Sequence, residues 1–140
     1  MKARINVVTL GVQSLEKAMA FYRDGMGLAT KGITGSQFED GAVVFFHLAN
    51  GLILALYPRT SLAKDAGVVS STPGSVPVSI GQLVASRQEV DAVMKQAEKA
   101  GAKITDGPRK RVWGGYSGYF RDPDGHFWEI VWNPEIPVED

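Results

Sequence analysis

Gly118-Tyr119-Phe120-Arg121-Asp122-Pro123-Asp124-Gly125-His126-Phe127-Trp128-Glu129 reads as two strands around a tight turn. Proline presets the backbone angle at the second turn position, and Asp and Gly tolerate the angles that follow. The flanks, Tyr116 to Arg121 and Phe127 to Trp132, are rich in aromatic and β-branched residues, and Pro134 closes the second. Side chains alternate across a strand, so Phe127, Glu129 and Val131 share one face while His126, Trp128, Ile130 and Trp132 take the other. A carboxylate thereby stands among apolar neighbours, where desolvation disfavours its charged form.

Upstream of this hairpin the spacing predicts two short strands, Ala102 to Thr105 and Lys110 to Trp113. Before them, Ser86-Arg87-Gln88-Glu89 is a capping box, Val90, Val93, Met94 and Ala97 form the apolar stripe of a helix, and Gly101 stops it. Val76 to Val84 is a strand. The first half repeats the order. Ile5 to Val12 is a strand, Ser14 an N-cap, and Leu15, Ala18, Met19, Tyr22 and Met26 follow at helical spacing up to Gly25 and Gly27. Ala29 to Phe38 reads as a weak strand and turn, and Ala42 to Leu48 as a strong strand. Asn50-Gly51 is a hairpin turn, and Leu52 to Tyr57 returns before Pro58.

Residues 1–58 and 76–140 are thus two βαβββ modules, joined by a connector, 59–75, whose only periodicity is a turn of helix near Ser61 to Ala66. One such module cannot cover both faces of its own sheet. The expected fold is α+β, with two paired modules related by a pseudo-twofold axis.

A length of 140 residues, 44% of them apolar, suits one globular domain that needs no staple. The absence of cysteine removes disulfides, thiolate zinc sites, iron–sulfur clusters and a cysteine nucleophile. Fifteen Lys plus Arg balance fifteen Asp plus Glu, leaving no field to attract nucleic acid or an anionic membrane. No apolar run reaches the roughly 20 residues that span a bilayer, and the start lacks a secretory signal, so a cytoplasmic location is expected. With two histidines, any metal would depend on carboxylates and water.

Val8-Thr9-Leu10-Gly11-Val12, Leu15-Glu16-Lys17-Ala18, Phe21-Tyr22, Gly27-Leu28 and the final hairpin motif together resemble the vicinal oxygen chelate superfamily of glyoxalases, bleomycin-resistance proteins and extradiol dioxygenases. The resemblance covers nearly the whole chain. It implies a paired βαβββ fold, often a homodimer, whose curved sheet forms a cup with helices on its outer face and a carboxylate at Glu129 pointing into it. The family's metal enzymes draw ligands from four symmetry-related positions. Counting seven residues back from Ser14 and Ser86 gives Val7 and Ser79, and four forward from Gly51 and Gly125 gives Ala55 and Glu129. Valine and alanine have no lone pair, and serine is a weak neutral ligand. No metal and no other cofactor is therefore expected. The implied function is capture of a small, mostly apolar molecule in a metal-free cup. The alternative is a lyase, isomerase or dioxygenase type of enzyme in which Glu129 serves as general base or holds a divalent ion.

Around Glu129, the expected ligand-binding residues are Phe45, His47, Tyr57, Arg111, Trp113, Tyr116 and Phe127. Ile53, Ala55 and Tyr57 take the cup face by parity, and Phe45 and His47 share a face of the preceding strand. Trp113 and Tyr116 offer stacking surfaces, Arg111 suits an anionic group, and the His47 imidazole suits proton transfer. Each has a plainer role as well. Glu129 pairs with Arg111 or Arg121 in a polar cavity, aromatic residues pack, and edge cations deter aggregation. Gly114 to Gly118 lacks the lysine of a phosphate loop, Ser75 and Ser117 lack a triad, and Asp122 to Gly125 is a turn rather than a calcium loop.

Overall fold

β1 (Val7–Val12) and β5 (Val78–Leu83) lie antiparallel at the centre of an eight-stranded sheet, and each module extends outward from that seam. The computed structural model describes residues 1–25, 27–69, 78–121 and 127–138. Met26, Ser75, the Asp122–Gly125 turn and His126 lie outside the described residues. The other strands are β2 (Ile33–Thr34), β3 (Val43–His47), β4 (Ile53–Pro58), β6 (Lys103–Lys110), β7 (Tyr116–Arg121) and β8 (Phe127–Trp132). Their order is β2-β3-β4-β1-β5-β8-β7-β6. β1 is parallel to β4 and β5 to β8, so both halves repeat one pairing. The fold is α+β, as expected.

Register confirms the internal symmetry residue by residue. Val7 pairs with Ile53 as Ser79 pairs with Phe127, and Thr9 pairs with Ala55 as Gly81 pairs with Glu129. The four positions counted from the caps and turns therefore occupy equivalent places in the two modules.

Helices α1 (Leu15–Ala20, continued by a π turn over Phe21–Gly25) and α3 (Arg87–Lys99) cover the convex face. Val90 and Met94 of α3 pack with Val84, Phe120 and Ile130, and Leu15 of α1 packs with Val44, Phe46 and Leu56. The even-numbered residues of β4 and β8 pack here, as strand alternation requires. Both helices start on a serine. Ser14 Oγ accepts from the Lys17 amide at 3.2 Å, and Ser86 Oγ from the Glu89 amide at 3.1 Å. Glu89 reaches back to the Ala85 amide at 3.1 Å, closing the capping box one residue early. Losing the cap strands an amide, so Ser86→Ala should cost about 1 kcal/mol and Ser86→Gly only a few tenths. Equal urea midpoints for Ser86→Ala and the parent would contradict this assignment.

Three expectations need correction. Lys103–Lys110 is one strand rather than two, crossing Gly107-Pro108 with register shifts around Asp106. Proline is tolerated because β6 is a sheet edge, where its missing amide costs no ladder bond. Within Ala29 to Phe38, only Ile33–Thr34 is strand. The connector opens with a seven-residue helix, α2 (Arg59–Asp65), and this helix lies on the concave side. Leu62 and Ala66 are buried there against Tyr119 and Phe127.

Candidate functional site

The two modules pair within one chain, so a single molecule supplies both halves of the sheet. α2 covers part of its concave side. Phe127, 3% exposed, is consumed in that packing and forms floor rather than lining. Among the described residues, a cleft of about 160 Å³ opens between α2, the loop at Asp40 and the β6–β7 turn, lined by Tyr57, Ser61, Lys64, Asp65, Arg109 and Trp113 among others.

Both walls are tied down. On one side the chain pinches between Gly35 and Gly41, where a Cβ on either residue would overlap the opposing backbone. Asp40 then adopts φ 52°, unusual outside glycine, and faces α2. Its carbonyl accepts from the Tyr57 hydroxyl at 2.5 Å, and its carboxylate from Ser61 Oγ at 3.2 Å and Lys64 Nζ at 2.6 Å. Burial chiefly, with the nearby carboxylates, raises the Tyr57 phenol above its ordinary range, so it stays a donor.

On the other side Arg111 is the anchor, with its side chain 1% exposed. Nη1 meets Asp65 Oδ1 at 3.3 Å and Asp106 Oδ2 at 3.0 Å, Nε donates to Ser117 Oγ at 2.7 Å, and Nη2 donates to the Ser117 carbonyl at 3.0 Å. Arg111 is therefore committed to holding the β6–β7 turn against α2. The expectation that it faces a ligand anion gives way to that structural task.

Glu129 sits beneath this anchor. Its Oε2 accepts from Ser117 Oγ at 3.1 Å, which links it to Arg111 through one hydroxyl. The alternative partner, Arg121, lies instead over the Phe127 ring at 4.4 Å. Tyr119, the cross-strand partner of Glu129, is buried and donates to Asp65 Oδ2 at 3.3 Å. Although part of its residue surface remains accessible, Glu129 is ringed by protein at the carboxyl. Burial first, then the Asp65 charge, raises it to about 7, opposed by Arg111, Tyr119 and Ser117. Burial likewise raises Asp65, against Arg111 and Arg109. Tyr119 is raised well above the ordinary phenol range by burial and then by Glu129 and Asp65.

The remaining candidates part company. Tyr57 and Trp113 line the cleft. Phe45, 38% exposed, and His47 pair with Ala55 and Ile53 on β3, four strand steps from β8. Tyr116 belongs to the convex face. Its hydroxyl donates to Asp91 on α3 at 2.7 Å, and Arg87 lies 5.7 Å from its ring. It opens β7, and strand alternation then sends Tyr116 away from Glu129 and turns Ser117 and Tyr119 toward it. Parity from the hairpin could have found those two; no local pattern marked Asp65.

The donor chemistry at the four symmetry-related positions does not fit a divalent metal. Val7 and Ala55 offer no lone pair, the Ser79 hydroxyl is neutral and 1% exposed, and Glu129 is committed to Ser117. Among the described residues, no three His, Asp or Glu side chains cluster closely enough to hold an ion. No helix among them is long and apolar enough to cross a membrane.

Comparison with known proteins agrees with this architecture. A family profile, described as the Glyoxalase/Bleomycin resistance protein/Dioxygenase superfamily, matches residues 4–130. A glyoxalase-related enzyme from Fulvimarina pelagi is 34% identical, with 99% of this chain and 94% of that one covered and a TM-score of 0.44. The Mn(II)-bound glyoxalase from Novosphingobium aromaticivorans is 24% identical over 97% of this chain and 40% of that one, TM-score 0.61. Methylmalonyl-CoA epimerase from Streptomyces coelicolor is 18% identical over 97% and 98%, TM-score 0.66. The last two share the fold.

Proposed function

The chain belongs to the glyoxalase/bleomycin resistance protein/dioxygenase superfamily, of the vicinal oxygen chelate type, and from that premise we propose that it binds a small organic molecule in the cleft between α2 and the β6–β7 turn. The observation that carries this reading is the double anchoring of the walls. Asp40 ties one to α2 and Arg111 ties the other, so the opening exists before any ligand arrives. A preformed site avoids the cost of ordering loops on binding. Its volume is close to that of cavities of about 150 Å³ that admit benzene. Binding in this reading needs no metal at the symmetry-related positions.

The second reading is an enzyme in which Glu129 moves a proton. It is favoured by one observation, the burial of the Glu129 carboxyl near Asp65, which pushes it up to about 7 and suits a general base or acid near neutral pH. Tyr119 stands between Glu129 and Asp65, and Asp65 opens on the cleft.

A fragment screen followed by amide chemical-shift mapping tests both. Expected shifts concentrate on Tyr57, Ser61, Asp65 and Trp113; shifts confined to α1 or α3, or none at millimolar fragment, would remove the cleft as a site. Turnover of a bound fragment by the wild type, lost in Glu129→Gln, would select the enzyme reading. Binding without turnover would select capture.

A further inference from the structure

Gly114 and Gly115 follow Trp113 in the tight turn closed by the Arg111 amide on the Gly115 carbonyl at 2.8 Å and the Gly114 amide on the Arg111 carbonyl at 3.0 Å. Gly114 has φ 98°, a left-handed angle that explains its identity. Gly115 has no such need, and the reason for it is spatial. A Cβ there would overlap Cζ3 and Cη2 of the Trp113 indole and lie 2.9 Å from Cε3. The benzo edge of the tryptophan thus rests in the space a side chain would take, while the residue lines the cleft and stays 36% exposed.

The geometry points to Gly115 as a specificity-determining residue that seats Trp113, so that the cleft selects a single uncharged planar ring stacked on the indole. This rests on the reading of the cleft as the ligand site. Size limits the ligand to about one ring. Charge limits it further, because the three cations that line the cleft are already paired with four carboxylates, three on the lining and Asp106 behind it. Lys64 is held by Asp40 and Glu39, Arg109 by Asp106 and Asp65, and Arg111 by Asp65 and Asp106. An anionic or cationic ligand would have to break one of these pairs before making its own. A neutral ring breaks none, and the tryptophan face supplies the stacking surface that distinguishes flat molecules from puckered ones.

The test compares wild type, Gly115→Ala, Trp113→Leu and Trp113→Phe against phenol, benzoate, benzylamine and cyclohexanol. Phenol should bind at least about tenfold more tightly than the other three. Gly115→Ala should weaken phenol about tenfold with little change in melting temperature, because the side chain that must move is at a surface turn. Acrylamide quenching of Trp113, read as the difference from Trp113→Phe, should rise in Gly115→Ala as the indole leaves its seat. Trp113→Leu should lose phenol binding equally.

If none of the four probes shifts the amides of Tyr57 and Asp65, the cleft reading falls and this one with it. If phenol shifts those amides in wild type and Gly115→Ala alike with equal affinity, or quenching is unchanged, the role of Gly115 is refuted and the cleft stands. Benzoate or benzylamine binding as tightly as phenol would overturn the ligand class.

Discussion

Arg111→Leu should lower stability by about 3 kcal/mol or more, which at this chain length is roughly a 10 °C fall in melting temperature. The cause is what the substitution leaves behind. Asp65 and Asp106, 25% and 20% exposed at their side chains, would face each other without the guanidinium, and Ser117 would lose a donor to its hydroxyl and one to its carbonyl. Breaking one side of a buried charged network leaves an uncompensated charge, which costs more than the pair contributed. Partial exposure of the two carboxylates keeps the expected loss near the low end. Arg111→Lys should fall between, because an ammonium keeps the charge but cannot span two carboxylates, a hydroxyl and a carbonyl with a planar fork. Adding Asp106→Asn to Arg111→Leu should recover part of the loss by removing one of the opposed charges. Thermal and urea unfolding at pH 7 read all three variants. An Arg111→Leu protein melting within about 2 °C of the parent would show that the network is ornamental.

The same residue shows how far the sequence could be read. Arg111 lies in a run of cations, Arg109-Lys110-Arg111, which local pattern assigns to a solvated edge. Its burial depends on Asp65, 46 residues away on a helix that crosses the cup. α2 itself has seven residues and no side-chain cap. Too short to persist on propensity alone, it draws its stability from the packing of Leu62 and Ala66 on Phe127 and Tyr119, a tertiary cause that periodicity does not carry. By contrast, the seams of the fold rest on local signals. The serine caps and hairpin glycines placed Val7, Ser79, Ala55 and Glu129 in the equivalent positions that the strand register shows. Glu129 and Trp113 were legible by strand parity and by composition. Asp65, Ser117 and Tyr119, which set the environment of Glu129, were not singled out. One was placed by a tertiary contact, and the other two followed from the register that sets Tyr119 opposite Glu129 and Ser117 opposite Val131.

Raising the pH from 5 to 8 should lower the stability of the wild type through Glu129, and Glu129→Gln should remove most of that decline. Burial and the Asp65 charge place the carboxyl at about 7 in the folded protein, against 4.5 for an unburied glutamate. The folded state therefore holds this proton more tightly than the unfolded chain. The resulting stability is fully present below about 4.5 and is lost as pH rises through about 7, where burying the ionised form becomes obligatory. At about 1.4 kcal/mol per pH unit, a gap of this size sets an upper value near 3 kcal/mol, and residual solvent access brings the expectation to about 2. Glutamine keeps the oxygen that accepts from Ser117 and carries no charge at any pH. The variant should thus match the wild type near pH 5 and exceed it by about 2 kcal/mol at pH 8. Some slope should persist in the variant, because burial raises Asp65 in the same direction. Urea titrations of both proteins at half-unit steps give, as their difference, the Glu129 contribution together with its coupling to Asp65. Parallel profiles, or a variant less stable than the parent at pH 8, would mean that the charged carboxylate is welcome where it lies. The proton-transfer reading would then lose its physical basis, since a carboxylate stabilised by its surroundings is a weak base near neutral pH.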